Sequence, residues 1–260
     1  MIMKDALGDR MKTYYEDVYR IKLTRRMPVI IRIDMRAGHT FTRGFKRPYD
    51  EIFFKSMTNT AAKLCDEVQN TKIAYVQSDE ISLLLTDYTK LTTSQWFDGN
   101  IQKMVSVSAS IATISFNQAY THILLQKNLT NDEMNKYSSK INKMTFDSRV
   151  FNIPESEVVN YFIWRQNDAT RNSIESAGQA IFSAKELHKK NCSQIQDMLI
   201  EKNINWNDYP NWFKRGACVI KDSYIKNDVQ RSCWSIDYDT PIFTQNREYI
   251  AQYLKPADED

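Results

Sequence analysis

The chain has 260 residues, 42% apolar and 26% charged, the composition of an ordinary globular protein rather than a disordered or fibrous one. With 35 basic and 32 acidic residues the net charge is +3, too mild to mark a nucleic-acid binder by itself. Six Gly and six Pro speak against Gly-rich repeats and long flexible linkers.

Residues 5–26 have helical spacing, with Leu7, Met11, Tyr14, Tyr15, Val18 and Ile21 toward one face. The N-terminus lacks a signal-peptide core, and no apolar run approaches the ~18 residues of a membrane span, so a soluble cytoplasmic protein without a membrane partner is expected. PVIIRID, 28–34, is a buried strand ending on an acid; MRAGHTFTRGFKRP, 35–48, is a cationic loop. Asp50 caps a helix running to about Val68, with Ile52, Phe53, Met57, Ala61, Leu64 and Val68 as its apolar stripe. Two strands follow, 73–77 and 81–85, joined at Ser78-Asp79-Glu80.

Helical periodicity resumes over 101–126, with small residues suited to tight packing, and 127–144 turns polar, a loop or a peripheral helix. TFDSRVFNI, 145–153, reads as a strand, and a long helical stretch with possible breaks begins near 155. A helix near 193–202 precedes NWFKRGACVIKD, a basic turn into a strand; 223–254 holds strands and a terminal helix. Strands and helices alternate irregularly, which favours an α+β layer fold. Cys65, Cys192, Cys218 and Cys233 form no CxxC pair, and with three His in the chain they read as free thiols rather than zinc ligands.

Two adjacent carboxylates between greasy strands are costly to desolvate unless solvated or paired. If the strands are neighbours, Asp34, Asp79 and Glu80 converge at one sheet edge. Hard oxygen ligands suit Mg²⁺, and two such ions about 3.5–4 Å apart organise phosphoryl or nucleotidyl displacement. The bland alternative is an acidic hairpin turn beside a strand-end acid. Arg36, His39, Arg43, Lys46 and Arg47, with Gly38 and Gly44, supply cations and free amides for a triphosphate; a solvated basic loop is the alternative there. No GxxxxGK[ST] is present, which excludes a P-loop. Lys103 opens a helix where a phosphate would feel the N-terminal field. Arg165, Asp168 and Asn172 share one helical face, a pattern more often solvent-exposed than functional. Trp212 and Phe213 with Lys214 and Arg215 combine aromatics and cations, as base stacking requires, or belong to the core.

Together RIDMRAGHTF (32–41), QSDE (77–80), KRPYDEIF (46–53), QKMVSVSASIA (102–112), FDSRVF (146–151), YFIWRQNDATRNSI (161–174) and NWFKRGACVI (211–220) resemble the tRNA-His guanylyltransferase family, in particular its bacterial and archaeal guanylyltransferase-like branch. The resemblance spans roughly 27–221. It implies an α+β fold with a polymerase-palm-like antiparallel sheet flanked by helices, a catalytic domain over 1–222 and an extension of unknown role over 223–260. It also implies a homotetramer that adds nucleotides 3′→5′ to tRNA 5′-ends with two Mg²⁺ ions, GTP and ATP being substrates.

Carried over by position, Asp34, Asp79 and Glu80 would be catalytic carboxylates and metal ligands, joined by the backbone carbonyl of Met35. Arg36, Ala37, Gly38, His39, Ser78 and Lys103 would hold triphosphate, with Lys46, Arg47 and Asp50 near the activating nucleotide. Arg165, Asn172, Lys214 and Arg215 would face tRNA. Met35 departs from a family Gly and Gly38 from a common aromatic. Thr170-Arg171-Asn172-Ser173 stands where eukaryotic members carry HINN, a departure that favours template-directed repair of 5′-truncated tRNAs over strict addition of one G to tRNA-His. A cyclic-nucleotide synthase and a catalytically idle nucleotide- or RNA-binding protein are the alternatives of other kinds.

Overall fold

The computed structural model describes residues 5–90, 92–227 and 229–255. The outer ends of the expected catalytic domain (1–4) and of the expected extension (256–260) lie outside them. In chain order the elements are α1 (Ala6–Met11), β1 (Val29–Met35), α2 (Gly38–Phe41), α3 (Glu51–Glu67), β2 (Thr71–Gln77), β3 (Glu80–Leu85), α4 (Ile101–Leu125), α5 (Asn131–Ser138), β4 (Phe146–Asn152), α6 (Glu155–Ile181), α7 (Ala184–Leu187), α8 (Cys192–Ile200), α9 (Asn211–Arg215), β5 (Ala217–Lys226), β6 (Val229–Asp237) and α10 (Glu248–Ala251). The strands form one six-stranded sheet in the order β4-β1-β3-β2-β5-β6, every pairing antiparallel.

Alternation along the strands divides two cores. Ile31, Ile33 and Met35 of β1 join Ile81, Leu83 and Leu85 of β3 under α3 and α4, whose Met57, Ala61, Leu64, Ala112 and Phe116 fill the same layer. Ile30, Ile73, Tyr75 and Leu84 face the other way, under Val158 and Phe162 of α6. The expected breaks in the long helix are absent: α6 is a single 27-residue helix, held on one side by the sheet and on the other by Ile195 and Leu199 of α8.

Part of 229–255 joins these same layers, whereas 223–226 and 229–233 of the β5–β6 hairpin are exposed. β5 runs unbroken through 222 and 223, and Phe243, Ile250 and Leu254 close the α6 side of the sheet. The N-terminal segment differs from its periodicity. A short α-helix gives way to a π turn at Lys12–Glu16 and a 3₁₀ turn at Asp17–Tyr19, and Leu7, Tyr14, Tyr15, Val18 and Ile21 are exposed. Helices this short draw their stability from packing, and no described part of the chain covers this stripe.

Candidate active site at the β2–β3 turn

Gln77 ends β2 and Glu80 begins β3, so Ser78 and Asp79 make a two-residue turn, with Ser78 at φ 49°. The Asp79 carbonyl accepts from the Met35 amide at 3.1 Å, tying the turn to the end of β1. Asp34 lies opposite Glu80 on one side and Asp147 of β4 on the other. Burial raises the Asp34 carboxyl above its usual range, and the charges of Asp79 and Asp147 add to that rise; Arg149 and Arg32 oppose it. The sheet therefore brings Asp34 and Asp79 together. Asp147 is a third nearby carboxylate that sequence reading missed, although it stands inside FDSRVF. Its strand was legible, but the pairing that sets it beside Asp34 was not.

Glu80 is turned to a different partner. Its Oε1 lies 2.8 Å from Arg165 Nε and its Oε2 4.0 Å from Arg32 Nε, with both the Glu80 and Arg165 side chains nearly enclosed. Burial pushes the Glu80 carboxyl up, and the two guanidiniums pull it back down. Arg165 also pairs with Asp168 at 2.6 Å and lies 4.2 Å from the Trp164 ring centroid. The face carrying Arg165 is thus a buried contact with the sheet. Arg165 is unavailable to a tRNA phosphate, a correction to its expected role.

The loop after β1 closes over the same edge. Arg36 donates its amide to the Thr145 carbonyl, Ala37 adopts a left-handed conformation (φ 54°), and Gly38 starts α2. A Cβ on Gly38 would lie 2.0 Å from Asp79 Oδ2, so the absence of a side chain lets the Asp79 carboxylate approach. Met35 lies in regular β1, outside the left-handed region, with its side chain buried under α3 and α4. A strand backbone accepts any side chain, so the Gly-to-Met departure costs nothing there.

Beside the turn, an open cleft runs between α6, α9 and the start of α3. His39, Lys46, Arg47, Ser78 and Asn172 line it, with an aromatic wall of Tyr49, Phe54, Trp212 and Phe213. Phe54 and Trp212 stack at 4.1 Å, and Tyr49 lies 4.9 Å from Trp212. Asp50 borders the cleft, but its carboxylate is committed to structure. It accepts from the amides of Phe53 (2.9 Å) and Lys46 (3.1 Å) and from the Tyr137 hydroxyl. Lys46 Nζ pairs with Glu133 at 3.3 Å. Lys214 donates to the Asn207 carbonyl at 2.6 Å, and Arg215 to the Asn211 side chain.

Lys103 is not brought to this edge. Met104, one residue on, lines a small pocket with Val29 and Leu85, while Thr113 on the same helix accepts from the amide of Phe146, the register partner of Met35. Val29 is five residues from Asp34, about 17 Å at about 3.3 Å per strand residue, so Met104 sits toward the other end of β1. Helix direction, which periodicity does not encode, decided this. Among the described residues, no group of three or more His, Cys, Asp or Glu side chains is arranged to hold a metal ion, and no helix is long and apolar enough to cross a membrane.

The chain is similar to known proteins. A bacterial tRNA(His) guanylyltransferase-like protein solved in complex with ATP superposes with a TM-score of 0.83 at 47% identity, over 96% of this chain and 99% of that one. A bacterial like protein solved with GTP gives 0.77 at 45% identity, over the same shares. An uncharacterised protein of Acanthamoeba polyphaga mimivirus is 30% identical over 252 residues, 90% of this chain and 85% of its own length. Residues 8–154 match the profile described as tRNAHis guanylyltransferase. The mixed fold and these likenesses agree: the chain belongs to the tRNAHis guanylyltransferase family and is a guanylyltransferase-like nucleotidyltransferase.

Proposed function

We propose that the chain is a Mg²⁺-dependent 3′→5′ nucleotidyltransferase that repairs 5′-truncated tRNAs by adding template-matched nucleotides. The observation that carries this reading is the Asp34–Asp79 pair at one sheet edge beside the cationic, aromatic-walled cleft. In this chemistry the 3′-hydroxyl oxygen of an incoming nucleotide bonds to the phosphorus attached to the tRNA 5′-oxygen. Its proton is lost, and pyrophosphate leaves a triphosphate end, or AMP leaves an adenylylated one.

The donor set fits Mg²⁺. Asp34 and Asp79 are hard oxygen donors whose mutual repulsion a divalent cation relieves, and magnesium takes few protein ligands, keeping water and phosphate in its other positions. Asp34, Asp79 and the Met35 carbonyl would hold the two ions, which when bound neutralise phosphate charge and favour the attacking alkoxide. The amides of 36–39, His39 and Ser78 would hold the triphosphate of the incoming nucleotide. Lys46 and Arg47 would meet the phosphates of the activating nucleotide, and the Tyr49–Phe54–Trp212–Phe213 wall would receive its base. Asn172, which lines the cleft from α6, would face the tRNA, with Lys214 and Arg215 of the adjoining α9.

Thr170-Arg171-Asn172-Ser173 in place of HINN favours repair over strict addition of one G to tRNA-His. The assay supplies labelled 5′-monophosphate and 5′-triphosphate truncated tRNAs with each nucleotide in turn. Addition to several tRNAs according to the opposing base is expected, with no addition by Asp79→Ala at an unchanged melting temperature. Addition confined to tRNA-His and GTP would establish the stricter enzyme. Cyclic product from ATP or GTP without RNA, or binding without turnover, would overturn both. A cytoplasmic homotetramer accompanies this reading; sedimentation of the purified chain tests the assembly.

A further inference from the structure

The last carboxylate of QSDE has a geometry unlike its neighbour's. Asp79 occupies the tip of the turn, over the bare Cα of Gly38, whereas Glu80 enters β3 and points toward α6. Its Oε1 is 2.8 Å from Arg165 Nε, and the two side chains are 10% and 7% exposed. Ser82 Oγ lies 3.5 Å from the same oxygen. The guanidinium is itself fixed: Asp168 holds its NH2 at 2.6 Å, Arg171 holds Asp168 in turn, and the Trp164 ring lies 4.2 Å from its centre. A carboxylate held this way has given its charge to a neighbouring helix. Moving it to a cation would leave Arg165 with Asp168 alone and expose a desolvated charge, which is strongly unfavourable.

We infer that Glu80 is a positioning residue rather than a metal ligand: through Arg165 it pins the β2–β3 turn to α6 and so fixes the carboxylate of Asp79. The inference rests on the Asp34–Asp79 reading above and assigns the third acid of the motif a separate task. The chain of contacts is continuous. α6 carries Arg165, Arg165 holds Glu80, Glu80 adjoins Asp79, and the Asp79 carbonyl holds the amide of Met35 at the end of β1. The same helix, four and seven residues on, presents Ala169 and Asn172 to the cleft, so the clamp also sets the distance between the turn and the cleft wall.

Two measurements test it. Mn²⁺ binding, followed by electron paramagnetic resonance without nucleotide or RNA, is expected to stay within about twofold of wild type in Glu80→Gln and to weaken at least about tenfold in Asp79→Asn. In addition assays Glu80→Gln and Arg165→Lys are each expected to lower kcat by about 10–100-fold with KM for the nucleotide unchanged, the range that a misplaced reacting group produces. The double variant should fall no further than the weaker single, because both substitutions break one contact.

Loss of Mn²⁺ by Glu80→Gln equal to that by Asp79→Asn would overturn the inference. So would full activity in Glu80→Gln, or multiplicative losses in the double variant. Mn²⁺ binding untouched by Asp79→Asn would overturn the metal reading of the pair itself, a distinguishable result. Should Glu80→Gln lower the melting temperature by more than a few degrees, Glu80→Gln with Arg165→Met, which removes both charges of the Glu80–Arg165 pair, carries the same Mn²⁺ comparison.

Discussion

Gly216 joins α9 to β5 with φ 77° and ψ −176°, backbone that glycine alone adopts readily and that costs a side chain about 1–3 kcal/mol. A Cβ there would lie 2.5 Å from the Val76 carbonyl oxygen and 2.7 Å from the Tyr75 hydroxyl. The first is sheet backbone, paired on both sides by β3 and β5, and cannot step aside. The second belongs to a fully buried tyrosine that donates to the Arg215 carbonyl at 2.7 Å. Displacing that hydroxyl leaves buried polar groups unpaired, about 1–3 kcal/mol more. Gly216→Ala should therefore destabilise the fold by about 2–6 kcal/mol, or about 4–24 °C of melting temperature in a chain of this size. Thermal unfolding by circular dichroism measures it. Gly44→Ala is the control: its φ of 87° is also positive, but the atoms in the way are the end of the Lys136 side chain, so its fall should be the smaller. A drop under about 3 °C for Gly216→Ala would refute the reasoning.

Gly38→Ala places a methyl where the Asp79 carboxylate now lies, with the nearest oxygen at 2.0 Å. Nucleotide addition should fall by about 100-fold, while stability holds or rises by about 0.5–1 kcal/mol from the better helix former; activity and unfolding measured on one preparation separate the two. Asp50→Ala removes the cap of α3 and strands the Tyr137 hydroxyl and the Lys46 amide, a loss of about 2–4 kcal/mol by urea unfolding. Lys72 is half-buried, and burial, with Lys221 nearby, holds its ammonium pKa below the ordinary 10.5. The unfolded chain then binds that proton more tightly, so stability should climb with pH through the window just below 10.5, and Lys72→Met should lack that climb.

Periodicity and caps made the elements legible. Asp50 before an apolar stripe predicts a helix to about Val68, and α3 runs Glu51–Glu67. The β-branched run before Asp34 and the pair flanking QSDE are β1, β2 and β3, and Asp34 does meet Asp79 because antiparallel pairing returns both to one end of the sheet. These signals are local, since each follows from which face of a segment must leave water.

What the sequence determined alone was therefore the kind and order of most elements and the family, with the convergence of Asp34 and Asp79 conditional on their strands being neighbours. Which strands lie side by side was left to the tertiary structure, because backbone hydrogen bonds carry no residue identity. That is why Asp147 beside Asp34 was invisible, and why Lys103, though at a helix start as expected, lies at the wrong end. Asp50 borders the cleft as the motif implies, but it serves the helix and Tyr137. Arg165 had the spacing of a surface cation, and only the crossing of α6 over the sheet buries it against Glu80. Sequence distinguishes a carboxylate from a guanidinium; packing decides which charge neutralises which, since the cost of an unpaired charge arises only where water has been removed.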